Sequence, residues 1–416
     1  MKSRSCMAVA GFVVTLAFLF PMYAFGAKDK VVIGHPACLS GKYAKAGEQA
    51  VGGIKACIDW VNNVHGGVTV DGKKVPLDYK YYDCESKKEG VTSFIERLIT
   101  VNKVNVVFSA YSSGLTLAGA PVAERYGMVY MDHGGASDRI FQQGFKYIVQ
   151  TIGPGSKYHE GTLDMIHHID PKVKKVALAY EDSEFARMTM GGAEKHAKAL
   201  GFEVVFKRTY PKGVTDLTPL LSDLKTKKPD LVIGGGHYED GQLFTRQMSD
   251  LGIQVKALSL VASVTLPSYY EALGGRIAEG VMGPSHWEYG VTYSAAGAKK
   301  KGLDWIGPSQ DEFVALFKKA VGKDMIPEYH AAEAGAQVLA YVKAVEMADS
   351  IGQDKVRAAL GKLKFMSFYG GWDVDDTGMQ IGHSMIDMQW QEDGKRVIVW
   401  PPEAATGKPI YPKPAF

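Results

Sequence analysis

The chain has 416 residues, with 48 lysines and arginines against 45 aspartates and glutamates, so its formal net charge at pH 7 is +3. A near-neutral chain without a basic block argues against nucleic acid and against anionic membrane surfaces as partners. The length is sufficient for two domains with separate hydrophobic cores.

The first 26 residues predict a secretory signal peptide. Lys2 and Arg4 precede an apolar stretch over 8–20, and small residues follow at Ala24 and Gly26. The stretch is too short for a comfortable membrane span, and no later segment has 18 uninterrupted apolar residues. We expect cleavage after Gly26, which lowers the charge from +3 to +1. The mature chain is then expected to be soluble and periplasmic.

Between residues 31 and 258 the chain alternates short β-branched runs with amphipathic stretches, which is typical of βαβ units and parallel sheets. Strands are predicted at 31–34, 77–82, 104–108, 128–131, 176–180, 203–207, 231–234 and 255–258. Helices are predicted at 46–61, 92–101, 115–125, 158–168, 186–200, 217–226 and 240–251. A break near 150–154 divides this region into two similar halves, which predicts two lobes in tandem.

The pattern changes after residue 258. A glycine-bearing apolar segment at 278–287 precedes three predicted helices, and strands return between 369 and 400. The three helices are predicted at 310–321, 331–349 and 354–363. Helices that return after the second lobe most simply complete the first.

These patterns predict an α/β fold. Two lobes, each built on a doubly wound parallel sheet, are expected to be joined by a hinge with three crossings, near 150, 281 and 368. Lobe 1 is expected to comprise 27–150 plus 284–366. Lobe 2 is expected to comprise 151–283 plus 367–416.

Two polar turns are the candidate binding elements. The first, 111–114 (Tyr-Ser-Ser-Gly), precedes a predicted helix, and the second, 133–137 (His-Gly-Gly-Ala-Ser), follows the next strand. Unpaired amides at a helix start, serine hydroxyls and glycine backbone suit an anion. Neighbouring parallel strands would bring both turns to the sheet edge where open α/β sheets bind ligands. The alternative is that both are ordinary helix caps.

Three cysteines remain after cleavage, and an oxidising compartment permits one disulfide among them. Cys38 and Cys84 each follow a predicted strand, so they lie close enough to bridge if those strands are neighbours. We expect a disulfide between Cys38 and Cys84, with Cys57 as a free thiol. Three free thiols are the alternative.

Several short motifs occur in a characteristic order along the chain. They are Leu39-Ser40-Gly41, Tyr82-Asp83, Ser112-Ser113, Ala136-Ser137, Gly235-Gly236-His237 and Gln389-Trp390. In this order the chain resembles, over nearly its whole mature length, the periplasmic binding proteins of branched-chain-amino-acid-type ABC transporters. The resemblance implies the type I, leucine-binding-protein-like clamshell, in which two lobes close on a small solute and deliver it to a membrane permease.

The resemblance also implies a site for the solute's carboxylate, which hydroxyls and backbone amides of lobe 1 would hold. In this chain those positions are Ser112, Ser113, Gly135, Ala136 and Ser137. Fixed donors of this kind bind a carboxylate through charge-assisted hydrogen bonds and need no buried cation. Phe185 takes the position of an aromatic residue that covers the ligand from lobe 2.

One departure from the family concerns the ligand's other end. Members that bind α-amino acids hold the ammonium group with an acid in the loop after the fourth strand of lobe 2. Here that loop, 259–263, has no acid. An unpaired buried ammonium costs several kcal/mol. Either Asp182, Glu239 or Asp240 substitutes, or the ligand has no ammonium.

The candidate cleft residues are rich in aromatic and imidazole rings, which favours an aromatic acid or an amino-acid-like carboxylate. They are Tyr111, His133, Phe185, His237, Tyr238, His286 and Trp287, with Val261 in the loop that lacks an acid. The alternative for several of these rings is a packing role.

An enzyme is the main alternative class. The chain has no Gly-x-Ser-x-Gly, Walker A, His-Glu-x-x-His or Cys-x-x-Cys motif. His167 and His168 are adjacent and do not face one ligand, whereas His330 and Glu333, one helical turn apart, more simply form hydrogen bonds than a metal site. We expect no enzymatic activity, no metal and no cofactor.

The expected function is therefore that of a monomeric binding protein, which captures a carboxylate-bearing solute and presents it to an ABC permease. Branched-chain amino acid binding proper, and a sensory binding protein that feeds a receptor, are the alternatives.

Overall fold

The structure is a computed structural model that describes residues 29–322 and 324–416. The predicted signal peptide, 1–26, lies outside the described residues. In the described part of the chain, none of the helices has both the length and the apolar character required for crossing a membrane.

The strands and helices alternate along most of the chain. The strands are β1 (Val31–Ala37), β2 (Val68–Val70), β3 (Lys73–Val75), β4 (Leu77–Asp83), β5 (Val106–Phe108), β6 (Tyr130–Asp132), β7 (Ile148–Gln150), β8 (Lys175–Glu181), β9 (Glu203–Tyr210), β10 (Leu231–Gly235), β11 (Ala257–Leu260), β12 (Val281–Ser285), β13 (Asp304–Trp305), β14 (Phe365–Ser367), β15 (Gly370–Trp372), β16 (Ile386–Gln391) and β17 (Lys395–Trp400). The α-helices are α1 (Ala44–Trp60), α2 (Lys88–Thr100), α3 (Ser113–Arg125), α4 (Glu160–Ile169), α5 (Glu184–Ala199), α6 (Thr218–Thr226), α7 (Tyr238–Asp250), α8 (Pro267–Leu273), α9 (Gly275–Ala278), α10 (Ala295–Lys300), α11 (Gln310–Val321), α12 (Tyr329–Ala348) and α13 (Gln353–Leu360).

Two sheets form the centres of the two lobes. The first has five parallel strands in the order β4-β1-β5-β6-β7. The second has the order β17-β16-β12-β11-β10-β8-β9, in which β16 pairs antiparallel with both of its neighbours, β12 and β17. The α/β fold with two lobes is therefore confirmed, and the second sheet carries an antiparallel edge.

The core positions follow from the sequence pattern. Strand β10 is buried along its whole length, as expected for a parallel strand covered by helices on both faces. Helix α12 is alanine-rich and buried on nearly all sides, and it packs against α1. The contact is close because α1 presents Gly53, where a Cβ atom would lie 1.9 Å from the carbonyl oxygen of Ala331.

The chain passes between the sheets three times. It enters the second sheet after β7 and leaves it after β12, and β16 returns to it. Before that return, the Gln150 amide of β7 donates to the carbonyl oxygen of Gly378 at 2.8 Å. The segment before β16 therefore contacts the last strand of the first sheet at residue 378, close to the first passage. The exact lobe boundaries stay a prediction.

The strand arrangement brings Cys38 and Cys84 together. Strands β1 and β4 pair with Ala37 opposite Asp83, which confirms the expected neighbouring strands. The two Sγ atoms lie 3.2 Å apart with no covalent bond between them, and Cys57 is buried as a third free thiol. The disulfide itself stays a prediction.

We expect the protein purified from an oxidising compartment to have one titratable thiol in denaturant without reductant, and three after reduction. A disulfide has a sulfur separation of about 2.05 Å, so a small shift of Cys38 and Cys84 suffices to form it. Cys57→Ser is the control, because it should remove the single thiol of the unreduced protein. Three thiols in the unreduced wild type would contradict the pairing.

Candidate functional site

The candidate site lies between the lobes, where the carboxyl ends of the parallel strands carry the two predicted turns. In open α/β sheets this is the edge at which ligands bind. The Ser113 hydroxyl accepts a hydrogen bond from the Ser137 amide at 3.1 Å, so the two turns are joined directly. The convergence predicted from their positions after neighbouring strands is present.

The first turn presents unpaired amides. Ser112 is the N-cap residue of α3, and the amide hydrogens of Ser113 and Gly114 have no acceptor among the described residues. These groups stand at the positive end of a helix of 13 residues. Ser112 is buried at the cleft, and its hydroxyl contacts the Tyr43 phenol.

The second turn is held in shape by Asp132. One carboxylate oxygen accepts the amides of Gly134 and Gly135, at 3.0 and 2.7 Å, and the Ser109 hydroxyl at 2.8 Å. Burial raises the pKa of Asp132 to about 7. The Gly135 amide is thus used inside lobe 1, whereas the Ala136 amide has no acceptor among the described residues.

Residues of the two turns also contact lobe 2. The Ser137 hydroxyl donates to Glu184 at the start of α5, at 2.9 Å, and Arg139 pairs with the same carboxylate at 3.0 Å. The Ala136 carbonyl oxygen accepts the Gly155 amide at 2.5 Å. The Ser137 hydroxyl therefore forms a hydrogen bond between the two lobes.

Seven aromatic side chains form a closed circuit of ring contacts that borders the cleft, with centroid separations from 4.0 to 6.0 Å. We call this set the aromatic circuit. In order, its members are Tyr111, His330, Tyr329, His286, Tyr158, Phe185 and His237. Four of them were expected from the sequence; Tyr158, Tyr329 and His330 were not.

A charged cluster lies beside the circuit in lobe 2. Glu181 accepts from His237 Nδ1 at 2.6 Å and forms an ion pair with Lys42 of lobe 1. Burial alone would raise the pKa of Glu181, but the bonds to His237 and Lys42 lower that pKa to about 2. Lys42 directly follows the Leu-Ser-Gly motif. The local sequence does not reveal that its partner is Glu181, which lies 139 residues further along the chain.

Glu181, His237 and Asp240 have ligand atoms within 4.8 Å of one another, as a metal site would require. Both carboxylates and Nδ1 of His237 already have partners, whereas Nε2 of His237 has none among the described residues. Asp240 accepts the Tyr210 hydroxyl at 2.7 Å and the His237 amide at 3.0 Å. This triad is a hydrogen-bonded cluster that orients His237.

Tyr238 lines the cleft and Val261 precedes the lining residue Ala262, and neither side chain offers a free polar group. The Tyr238 hydroxyl donates to the Ser268 carbonyl oxygen at 3.3 Å and accepts from Gln242 at 2.7 Å. The Val261 amide donates to the Gly234 carbonyl oxygen at 3.1 Å. Both residues act as walls.

One ring expected in the cleft lies elsewhere. Trp287 donates to the Phe368 carbonyl oxygen at 3.1 Å and packs on Phe313, so it belongs to the core, which was the alternative considered. His133 is buried and contacts His35, with centroids 5.5 Å apart, and neither of its ring nitrogens has a partner among the described residues. Its role in the cleft stays a prediction.

None of the three acids that were possible ammonium partners provides a carboxylate that is both buried and free. Asp182 is exposed and pairs with Arg187, and Glu239 is exposed on α7. The Asp240 carboxylate is engaged as described above. Among the described residues, Glu333 on α12 is a buried acid whose two carboxylate oxygens both lack a hydrogen-bond partner, and the sequence had suggested it only as one half of a weak metal pair.

A wider apolar pocket lies at the opposite end of lobe 1, where the strands begin. Its lining includes Val31, Val104, Met128 and Ile351. It is remote from both turns and from the charged cluster, so the interlobe cleft is the stronger candidate despite its smaller volume.

A two-lobe α/β clamshell with converging amide donors between its lobes defines the class of solute-binding proteins. The family of periplasmic binding proteins matches residues 30–395 of this chain. The chain belongs to that family, whose members are substrate-binding proteins of transporters and not enzymes. The family implies an extracytoplasmic location.

The individual relatives and solved structures to which the chain is similar are also named as solute-binding or amino-acid-binding proteins. The chain is 28% identical over 398 residues to Leu/Ile/Val-binding protein homolog 8 of Brucella abortus, covering 90% of this chain and 91% of the relative. The branched-chain amino acid transporter substrate binding protein LivJ from Streptococcus pneumoniae, in complex with isoleucine, superposes with a TM-score of 0.74 at 21% identity, covering 92% and 99% of the chains. A solute binding protein from Rhodopseudomonas palustris in complex with 3,4-dihydroxybenzoic acid gives a TM-score of 0.72 at 22% identity, covering 89% and 95%.

Proposed function

We propose that this protein captures a small carboxylate-bearing solute between its lobes and presents it, as a monomer, to the permease of an ABC importer. The observation that carries the proposal is the pair of unpaired amides at the start of α3, which face a cleft bordered by the aromatic circuit. Charge-assisted hydrogen bonds from fixed amides bind a carboxylate without a buried cation.

The aromatic circuit supports a solute with a flat or apolar body. Stacked and edge-on rings cover apolar surface and hold planar groups in a defined orientation. Isoleucine and 3,4-dihydroxybenzoic acid, the ligands named for the two structural neighbours, share a carboxylate and an apolar body. An aromatic acid or an amino-acid-like acid is therefore the proposed solute class.

Closure of the lobes couples binding of the solute to its delivery to the permease. Lys42 pairs with Glu181, and Ser137 and Arg139 bind Glu184, so three contacts join the lobes at the cleft. A solute that contacts both lobes favours the closed state, and the affinity includes the equilibrium between open and closed forms. The permease then has a closed, loaded protein to recognise.

The first experiment is a thermal-shift screen of aromatic acids, short-chain acids and amino acids, followed by calorimetry on the hits. We expect carboxylates to raise the melting temperature. Ser112→Ala should weaken their binding by about 1–3 kcal/mol, because a hydroxyl at the anion site is lost. Ser137→Ala should weaken it by a similar amount through the lost contact with Glu184.

Ser93→Ala is the matched control, because Ser93 is exposed on α2, away from the cleft. Its affinity should equal that of the wild type. Unchanged affinity in both Ser112→Ala and Ser137→Ala would place the anion site elsewhere. A screen in which no carboxylate stabilises the protein would refute the proposed function itself.

A further inference from the structure

Helix α12 buries a carboxylate that has no partner. Glu333 is 0% exposed, and neither of its oxygen atoms accepts a hydrogen bond from any described residue. The opposite face of the helix packs closely on α1 through Ala331 and Gly53. Glu333 is therefore fixed on the side that faces the cleft.

The surroundings of Glu333 are aromatic and acidic. Tyr111, Tyr158 and Tyr329 of the aromatic circuit lie close enough for its charge to raise their pKa values, after burial as the main cause. The nearby acids are Glu328 and Asp132. Within the described parts of the chain, no lysine or arginine forms an ion pair with Glu333.

Each neighbouring acid has hydrogen-bond donors on at least one carboxylate oxygen, unlike Glu333, although Oδ2 of Asp132 has no partner among the described residues. Glu328 accepts from His330 Nδ1 at 2.7 and 2.8 Å, and Asp132 accepts the donors of the second turn. Two cations at the cleft, Lys42 and Arg139, are paired with lobe 2 carboxylates, and Lys45, which also lines the cleft, is exposed. The unmet requirement of this part of the cleft is therefore a hydrogen-bond donor that carries positive charge.

Further polar atoms of the same region also lack partners. They are the hydroxyls of Tyr158 and Tyr369, both ring nitrogens of His286 and Nε2 of His330. Buried polar atoms in folded proteins almost always have a partner, which can be a ligand or an ordered water. Together with Glu333 these atoms mark a polar subsite behind the aromatic faces.

We propose that Glu333 accepts hydrogen bonds from a cationic nitrogen of the solute, with tyrosine rings of the aromatic circuit around that nitrogen. The inference rests on the proposed function, because the same solute places its carboxylate at the start of α3. Tyrosine faces attract cations, and a carboxylate supplies the counter-charge that a buried ammonium requires. The solute is then a zwitterion, and its cationic end is held by lobe 1 rather than by the acid-free loop of lobe 2.

The charge state of Glu333 depends on its surroundings. Burial, followed by repulsion from Glu328 and Asp132, raises the pKa of Glu333 well above its usual range, which favours the neutral acid while no positive charge lies beside it. His330 and His133 are buried in the same region and do not bind its carboxylate. An ammonium group beside Glu333 would favour the ionised carboxylate and pair with it, which a neutral solute cannot do.

The test compares pairs of acids that differ only in an amine. Suitable pairs are leucine with 4-methylpentanoate, phenylalanine with 3-phenylpropanoate, and 4-(aminomethyl)benzoate with 4-methylbenzoate. For at least one pair we expect the wild type to bind the amine-bearing member about 10- to 100-fold more tightly, as a charge-assisted bond predicts. Glu333→Gln, which keeps the side-chain volume, should reduce that ratio about tenfold or more.

Glu89→Gln is the control, because Glu89 is exposed on α2 and should leave the ratio unchanged. Melting of each ligand-free variant reports whether it folds. Equal affinity within every pair in the wild type would overturn the proposal, as would an amine preference that persists in Glu333→Gln. Tighter binding of hydroxy acids than of amino acids would also overturn it.

Failure of the cationic subsite and failure of the proposed function are distinguishable in the same experiment. If carboxylates bind with an affinity that depends on Ser112, but the amine does not change that affinity, the proposed function is supported and the proposed role of Glu333 is refuted. If no carboxylate binds at all, the proposed function is refuted first.

Discussion

Replacing Lys42 with methionine is expected to weaken solute binding by about a hundredfold, while the ligand-free protein melts close to the wild-type temperature. Lys42 reaches across the cleft to Glu181, whose side chain is 1% exposed. Without the lysine, the closed form buries the carboxylate with His237 as its remaining hydrogen-bond partner. Breaking such a pair costs about 3 kcal/mol, which corresponds to about a hundredfold in affinity.

The cost falls on closure because water solvates Glu181 once the lobes separate. A smaller closed fraction lowers the apparent affinity in proportion and leaves the lobes folded. Calorimetry with the best solute from the screen measures the effect. Lys88→Met, at an exposed lysine of α2, is the control with the same change of charge.

A double variant sharpens this test. Lys42→Met combined with Glu181→Gln removes both charges, so it should bind more tightly than Lys42→Met alone. Wild-type affinity in Lys42→Met would show that the ion pair does not contribute to closure.

Most of the fold could be predicted because its signals are local. A buried parallel strand is a short β-branched run, and an amphipathic helix repeats its apolar face every 3.6 residues. Helix α11 has the predicted bounds, since a Ser309–Glu312 capping box begins it and Gly322 in the left-handed region ends it. Strand β7 was missed because three residues before a proline-containing break carry almost no periodic signal.

The site was only partly predictable, because local sequence shows where donors can stand and not which remain unpaired. The strand–turn–helix pattern located Ser112 and Ser113 correctly at the start of a helix. It could not show that Asp132 uses the Gly135 amide or that Ser137 bonds to Glu184, since those partners depend on tertiary placement.

The same limit explains the acid that was missed. Glu333 was noticed for its spacing from His330, but spacing does not show that the carboxylate is buried without a partner. The burial of α12 against α1 depends on tertiary packing, which local spacing does not show. The loop at 259–263 has no acid, but this absence in lobe 2 does not reveal which acids of lobe 1 are buried.

Gly192→Ala is expected to lower the free energy of unfolding by about 3 kcal/mol and to weaken solute binding. A Cβ atom at Gly192 on α5 would lie 1.9 Å from the Ser156 carbonyl oxygen, so backbone must move. Ser156 bonds to Asp138 beside the second turn, at 2.6 Å between its hydroxyl and the carboxylate. Helix α5 carries Phe185, so displacing it disturbs both sides of the cleft.

The neighbouring residue provides a matched control, because Gly191 lies in the same helix and has no atom within 4 Å of a built Cβ. Gly191→Ala should stabilise the protein by about 0.5–1 kcal/mol, since alanine loses less backbone entropy than glycine in a helix. Urea unfolding of both variants measures the contrast. Equal stability of the two variants would mean that α5 can move away from residues 155–157 without a cost in free energy. It would then contradict the claim that this contact fixes the position of Phe185.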